Sequence, residues 1–225
     1  MRIRREITIH SSIRYPHIMT FYAAFEDDNA FFIILEYAAN GDLLDFIKKQ
    51  PDRRLPLDTY VTFVLKPLLH TLLYLHKRGV LHRDIKPENI LIDGANKIRL
   101  CDFGLSINSY QERPRSMIGT LEYMAPEVLT QGEPPYTDAV DVWAIGVLTY
   151  ECLTGRSPFA SRNNNDTIEN ITKCMYEKSV IPTAVVQDFL DKCLELDPAK
   201  RPQIDLLMTH PMLFPTNGSH RKTHS

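Results

Sequence analysis

The sequence predicts an α+β fold, with strands concentrated near the N-terminus and helices making up most of the rest. Three observations carry that expectation. A short amphipathic stretch is followed by two β-rich runs, Met19–Phe25 and Phe31–Tyr37, around the polar turn Glu26-Asp27-Asp28-Asn29, which suits an antiparallel hairpin. Further on, Val61, Val64, Leu65, Leu68, Leu72 and Leu75 recur at helical spacing, and Val140–Leu153 is apolar almost all round. A second hairpin is predicted from Ile90-Leu91-Ile92 and Lys97–Leu100 about the turn Asp93-Gly94-Ala95-Asn96.

The elements follow in order. Ile3, Ile7, Ile9 and Ile13 among Arg4, Arg5, Glu6 and His10 give a short helix that Pro16 ends. Phe31–Tyr37 reads as a buried strand leading into a linker. Leu43–Lys49 reads as a brief helix stopped by Pro51. A long helix then starts at Asp58 as N-cap and closes on Lys77-Arg78-Gly79, a basic last turn with a glycine C-cap. Its interior Pro67 removes a backbone bond at a cost of ~3 kcal/mol and predicts a bend. Asp141, embedded in the apolar Val140–Leu153 helix, needs hydrogen-bond partners, because burying a carboxylate without them is costly. Ser161–Asp166 reads as a solvated connection between helices, and 216–225 as a polar, disordered tail.

Composition narrows the function classes. The chain has 225 residues, 44% hydrophobic and 24% charged, with a formal net charge of −2. That balance supplies no basic field for nucleic acid or an anionic membrane surface, so protein and nucleotide are the expected partners. Cys101, Cys152, Cys174 and Cys193 are dispersed without a C-x-x-C pair, which fits reduced thiols and an intracellular setting, cytoplasm or nucleus. The first residues carry no apolar signal core, and no run approaches the ~18 apolar residues of a membrane helix.

The chemistry concentrates in Val80-Leu81-His82-Arg83-Asp84-Ile85-Lys86-Pro87-Glu88-Asn89 and, after the second hairpin, Asp102-Phe103-Gly104. Phosphoryl transfer mainly requires an acceptor hydroxyl held in place, Mg²⁺ on the phosphates and neutralisation of developing charge. Asp84 suits the proton acceptor and Lys86 the electrophile on the transferred group. Asn89 and Asp102 offer the hard oxygens that Mg²⁺ prefers. The spacing H-R-D-x-x-x-x-N followed by D-F-G is a kinase signature.

These motifs resemble the eukaryotic protein kinases, and Lys86-Pro87-Glu88-Asn89 resembles their serine/threonine branch. Arg4-Arg5-Glu6-Ile7 through Arg14-Tyr15-Pro16-His17-Ile18 is similar to the helix C region of Aurora-type kinases, while Gly119-Thr120-Leu121-Glu122-Tyr123 is shared by many of their relatives. The resemblance implies a bilobal kinase-like fold, with a partial small lobe over 1–37 and a helical large lobe over 38–215. It implies ATP and Mg²⁺ as cofactors and a nucleotide site of Leu35 as gatekeeper, Glu36, Ala38, Lys86, Glu88, Asn89, Leu91 and Asp102. Glu6 falls at the helix C glutamate; the alternative is local pairing with Arg2 or Arg5. Thr120 would bridge Asp84 and Lys86. Ser116 falls at the activating phosphosite, where Arg83 could take the phosphate. Glu88 and Glu151 match positions that face arginine upstream of the target residue, although Glu151 also fits a plain helix-end charge. Asp102–Glu127 would be the activation segment, with Glu127 paired to Arg201. Phe103, His82, His10 and Phe21 would form a hydrophobic column.

The resemblance begins partway into the kinase domain. No lysine precedes Lys48 and no G-x-G-x-x-G is present, so Glu6 is expected to lack its partner and apolar residues such as Phe21, Phe32 and Ile34 to be exposed. The expectation is an N-terminally truncated kinase domain, nearly inactive alone. It would act on protein substrates, with an activating protein or a second copy acting in trans. The alternative is a catalytically inactive binding or regulatory module; a metabolic small-molecule kinase is the weaker third.

Overall fold

The computed structural model describes residues 2–130 and 135–214; the predicted tail over 216–225 lies outside them. A helix, α1 (Arg2–Ser12), is followed by an antiparallel hairpin, β1 (Phe21–Glu26) and β2 (Phe31–Leu35). The segment between them joins this small lobe to the large one, because Met19 N–H donates to Leu100 O at 2.9 Å and Leu100 N–H to His17 O at 2.8 Å. Phe31–Tyr37 is not the buried strand expected. Phe31 and Phe32 are each 41% exposed and Ile34 47%, since no described element covers that face of the hairpin. Phe21 departs from its expected exposure; it is half-buried, with its ring 5.6 Å from that of His10.

Asp42 caps α2 (Leu43–Lys48) by accepting from Asp45 N–H. The long helical stretch runs as α3 (Leu57–Thr59), a π turn over Tyr60–Leu65 and α4 (Lys66–His76). Pro56, not Asp58, stands at its N-cap; Asp58 lies inside the first turn. Instead of the predicted bend at Pro67, the wide turn comes just before it. Lys66 N–H reaches back to Val61 O, and Pro67 falls in the first turn of α4, where a missing N–H costs little. The predicted apolar series, Val61 to Leu75, is fully buried.

Two short strand pairings flank the loop that carries Asp84. β3 (Val80–Leu81) pairs with β6 (Ile107–Asn108), and β4 (Ile90–Ile92) with β5 (Ile98–Leu100) in register Ile90 to Leu100. Parallel and antiparallel bridges, Ile18 to Leu100 and Asp42 to Leu91, tie this hairpin to the small lobe and to α2. The remaining helices are α5 (Pro126–Leu129), α6 (Ala139–Thr154), α7 (Asn164–Thr172), α8 (Ala184–Cys193) and α9 (Ile204–Leu207). Ser161–Asp166 is only partly a connection, because Asn163 caps α7 and residues 164–166 form its first turn.

Buried α6 is the axis of the large lobe. Trp143 is fully buried and stacks on Phe159 at 5.4 Å, and Tyr60 OH meets Thr149 Oγ1 at 2.8 Å. Arg201 closes the lobe through a bidentate pair to Glu127, at 2.6 and 2.8 Å. At Gly146 a Cβ would lie 2.7 Å from Leu194 Cδ2 and 2.8 Å from Cys193 Cβ, so α6 and α8 meet there without room for a methyl group. Gly146→Ala gains up to ~1 kcal/mol of helix propensity but overpacks the crossing by about 1–3 kcal/mol. The expected result is a net loss of roughly 1–2 kcal/mol in urea unfolding; a more stable variant would contradict this packing.

Candidate active site

Two residues with left-handed backbones frame the site. Arg83 has φ +69° and Asp102 φ +60°, conformations that non-glycine residues seldom adopt and that cost about 1–3 kcal/mol each. Asp141 holds the first of them. Its carboxylate, 1% exposed, accepts from His82 N–H at 3.0 Å, Arg83 N–H at 2.9 Å and His76 Nε2–H at 2.9 Å. Burial raises the Asp141 pKa, but the His76 bond, the histidine charges and the Arg83 N–H outweigh it and keep the group below the usual carboxylate range.

Asp84 lies next in the loop, 5% exposed. Thr120 Oγ1 donates to its Oδ1 at 2.9 Å, Asn89 Nδ2 donates to its Oδ2 at 2.8 Å, and Lys86 Nζ stands 3.1 Å from Oδ2. Lys86 Nζ also donates to Thr120 Oγ1 at 2.8 Å, so the threonine touches both charged residues. Burial alone would raise the Asp84 pKa; Lys86, Thr120 and Asn89 together lower it below its ordinary value, leaving an ionised carboxylate that can orient a hydroxyl and receive its proton.

The β4–β5 hairpin carries the other acidic group to this loop. Cys101 N–H donates to Asn89 O at 2.9 Å, placing Asn89 and Asp102 at adjoining ends. Asn89 spends its amide N–H groups on Asp84 O and Oδ2, leaving the side-chain oxygen to coordinate; Asp102 is exposed, with Oδ1 accepting from Gly104 N–H at 3.1 Å. Among the described residues no group of three or more His, Cys, Asp or Glu could hold a metal unaided. An amide oxygen and one carboxylate fit Mg²⁺, an ion that commonly takes its other ligands from phosphates and water.

The column of rings is continuous: Phe21 to His10 at 5.6 Å, His10 to Phe103 at 4.7 Å and Phe103 to His82 at 5.1 Å. Burial pushes the pKa values of both histidines down, so they stay neutral. His10 Nε2–H donates to Met19 O, which leaves its buried Nδ1 without a partner.

Glu6 reaches the same neighbourhood, with Oε2 about where a Cβ on Gly104 would touch it, at 3.2 Å. Burial first, and then the Asp102 charge, raise its pKa. It does not pair with Arg5, which binds Glu112 at 2.7 Å instead, and among the described residues no cation pairs with it. Leu35, the last residue of β2, and Ala38 three residues on are half-buried, as is Leu91 in β4; Glu36 is fixed by Thr20 Oγ1 at 2.8 Å and Arg99 at 3.4 Å.

Glu151 is half-buried and takes a short hydrogen bond from Tyr123 OH. Burial pushes its pKa up, the Tyr123 hydrogen bond opposes this, and the charges of Glu88 and Glu122 push it up further. Ser116 is exposed, and the structure does not bring Arg83 directly to it. Arg83 Nη1 donates to Tyr136 OH at 2.7 Å, and Tyr136 OH donates to Ser116 O at 3.1 Å. The sequence reading missed Tyr136, Tyr123, His76 and the Arg5–Glu112 pair. Each is an ordinary residue for its element, and its partner stands far off in the chain, so spacing carried no signal for it.

The profile of the protein kinase domain family matches residues 1–213. Among individual proteins, the chain is 36% identical over 209 residues to an Aurora kinase of Patiria pectinifera, covering 93% of this chain and 51% of that protein. It is 36% identical over 211 residues to Aurora kinase C of Mus musculus, covering 93% and 74%. It is 32% identical over 219 residues to an Aurora kinase of Encephalitozoon cuniculi, covering 96% and 79%. The chain thus spans between about half and four fifths of the length of these curated relatives.

Proposed function

This chain belongs to the protein kinase family, similar within it to the Aurora kinases, and from that premise we propose that its site transfers the γ-phosphoryl group of ATP to serine or threonine of proteins. The observation that carries the reading is the set of contacts at Asp84. One ionised carboxylate is bracketed by Lys86, Thr120 and Asn89 on a loop whose strained backbone Asp141 holds in place. Asp84 orients the acceptor hydroxyl and takes its proton late, as suits a low-pKa base and a loose transition state. Lys86 neutralises charge on the transferred group. Asn89 and Asp102 would hold Mg²⁺, which when bound neutralises the phosphates. Leu35, Glu36, Ala38, Glu88 and Leu91 complete the nucleotide site, the linker contributing through its backbone.

The carboxylates of Glu88 and Glu151 support a preference for arginine two or three residues before the phosphoacceptor. Arg113 stands three residues before Ser116 and so fits that pattern, and a second copy in trans, or another kinase, could modify it. The small lobe over 1–37 and the large lobe over 38–215 are the units of this reading.

The exposed apolar face of the hairpin, and Glu6 beside Asp102 with no cation paired to it among the described residues, favour a second reading, a kinase-like module that binds or regulates another protein. Thermal shift with ATP separates the two. A midpoint rise of several degrees that needs Mg²⁺ and disappears in Asp102→Asn supports the enzyme; no Mg²⁺-dependent shift supports the module.

A further inference from the structure

Tyr136 occupies a junction that the transfer chemistry above does not use. It is 9% exposed, just ahead of α6, the helix that carries Asp141. A tyrosine hydroxyl offers one proton and acceptor lone pairs. Here the oxygen accepts from Arg83 Nη1 at 2.7 Å and the proton goes to Ser116 O at 3.1 Å. Its backbone N–H donates to Pro114 O at 3.2 Å. Residues 114 and 116 are therefore pinned at two points by one residue, and the guanidinium beside Asp84 is linked to the second of them.

Arg83 has few other anchors for its charge. Nε–H donates to Leu105 O at 2.6 Å, a neutral oxygen; the Asp141 carboxylate attracts the guanidinium's charge and the Arg5 guanidinium repels it. Removing the Tyr136 hydroxyl would leave a half-buried charged N–H short of a partner and free the carbonyl of Ser116 together. A bond from a charged donor is roughly twice as strong as a neutral one, so the loss falls on the stronger of the two contacts first.

We infer that Tyr136 is a positioning residue whose hydroxyl latches the unmodified Ser116 segment onto Arg83, and so fixes both the activation segment and the loop that presents Asp84. It rests on the reading of Asp84 as part of the transfer site only for its functional meaning. Because the hydroxyl holds the guanidinium, a phosphoryl group on Ser116 would have to displace it to pair with Arg83.

The test reads loop opening and not activity, so failure of this inference and failure of the kinase reading are told apart. Trypsin cuts after Arg115 but not at Arg113–Pro114, which makes the Arg115–Ser116 bond a local reporter. Tyr136→Phe keeps the ring and its packing and loses only the hydroxyl. Under native conditions, where cleavage follows the open population, Tyr136→Phe is expected to raise the rate at that bond roughly tenfold while the thermal midpoint moves by no more than about 2 °C. A rate change below about threefold overturns the inference. A rise at all tryptic sites in step with a lowered midpoint overturns it as well, because the hydroxyl would then support the whole fold and not this segment.

Discussion

Asp141→Ala is expected to lower the unfolding free energy by about 3–5 kcal/mol, the largest loss from any single polar side chain around the loop that carries Asp84. Three donors lose their acceptor together: His82 N–H, Arg83 N–H and His76 Nε2–H. Two are backbone groups, that of His82 buried and that of Arg83 part-buried, and an unsatisfied buried donor costs about 1–3 kcal/mol. The carboxylate also holds Arg83 at φ +69°, so its loss lets that residue relax and move Asp84 with it. Asp141→Asn keeps one acceptor oxygen and places an amide against a donor, so its cost should lie between those of wild type and alanine. Urea unfolding of the three proteins checks this order. An alanine variant within about 1 kcal/mol of wild type would show that the loop holds its own shape.

Asp84→Asn is expected to reduce phosphoryl transfer to a serine peptide by about 10²–10⁴-fold, the range assigned to a positioned general base. The replacement is nearly isosteric and keeps an oxygen for Thr120 and an environment for Lys86, so the fold should survive. Lys86, Asn89 and Asp102 remain, so Mg²⁺-dependent nucleotide binding should persist while transfer is lost. That split distinguishes a base from a residue that merely supports the site. Single-turnover transfer measured beside nucleotide thermal shift gives both numbers, and transfer within tenfold of wild type would remove Asp84 from the role.

Much of the candidate site was legible because its residues are neighbours in the chain. Asp84, Lys86 and Asn89 lie within six positions, and the turn at Asp93–Asn96 announces the hairpin that returns Asp102 to them. Helical spacing likewise located the buried series from Val61 to Leu75 and the buried axis now seen as α6. Local signals failed where two of them compete. Asp58 is a good cap by residue type, but Pro56 took the position. Pro67 argued for a bend, and a π turn one step earlier absorbed it. Asn163 turned a polar run into the start of α7 by capping it.

By itself the sequence determined the family, the order of elements and the chemical groups of the proposed phosphoryl-transfer site, because these depend on residue types at short fixed spacings. Only the tertiary structure decided which groups are buried, charged and partnered. Asp141 meets His82 across 59 positions, Tyr136 meets Arg83 across 53, and Arg5 takes Glu112 across 107 while Glu6 is left beside Asp102. Hydrogen bonds and desolvation act through space, and contacts across that much chain exist only once the apolar core around α6 has closed.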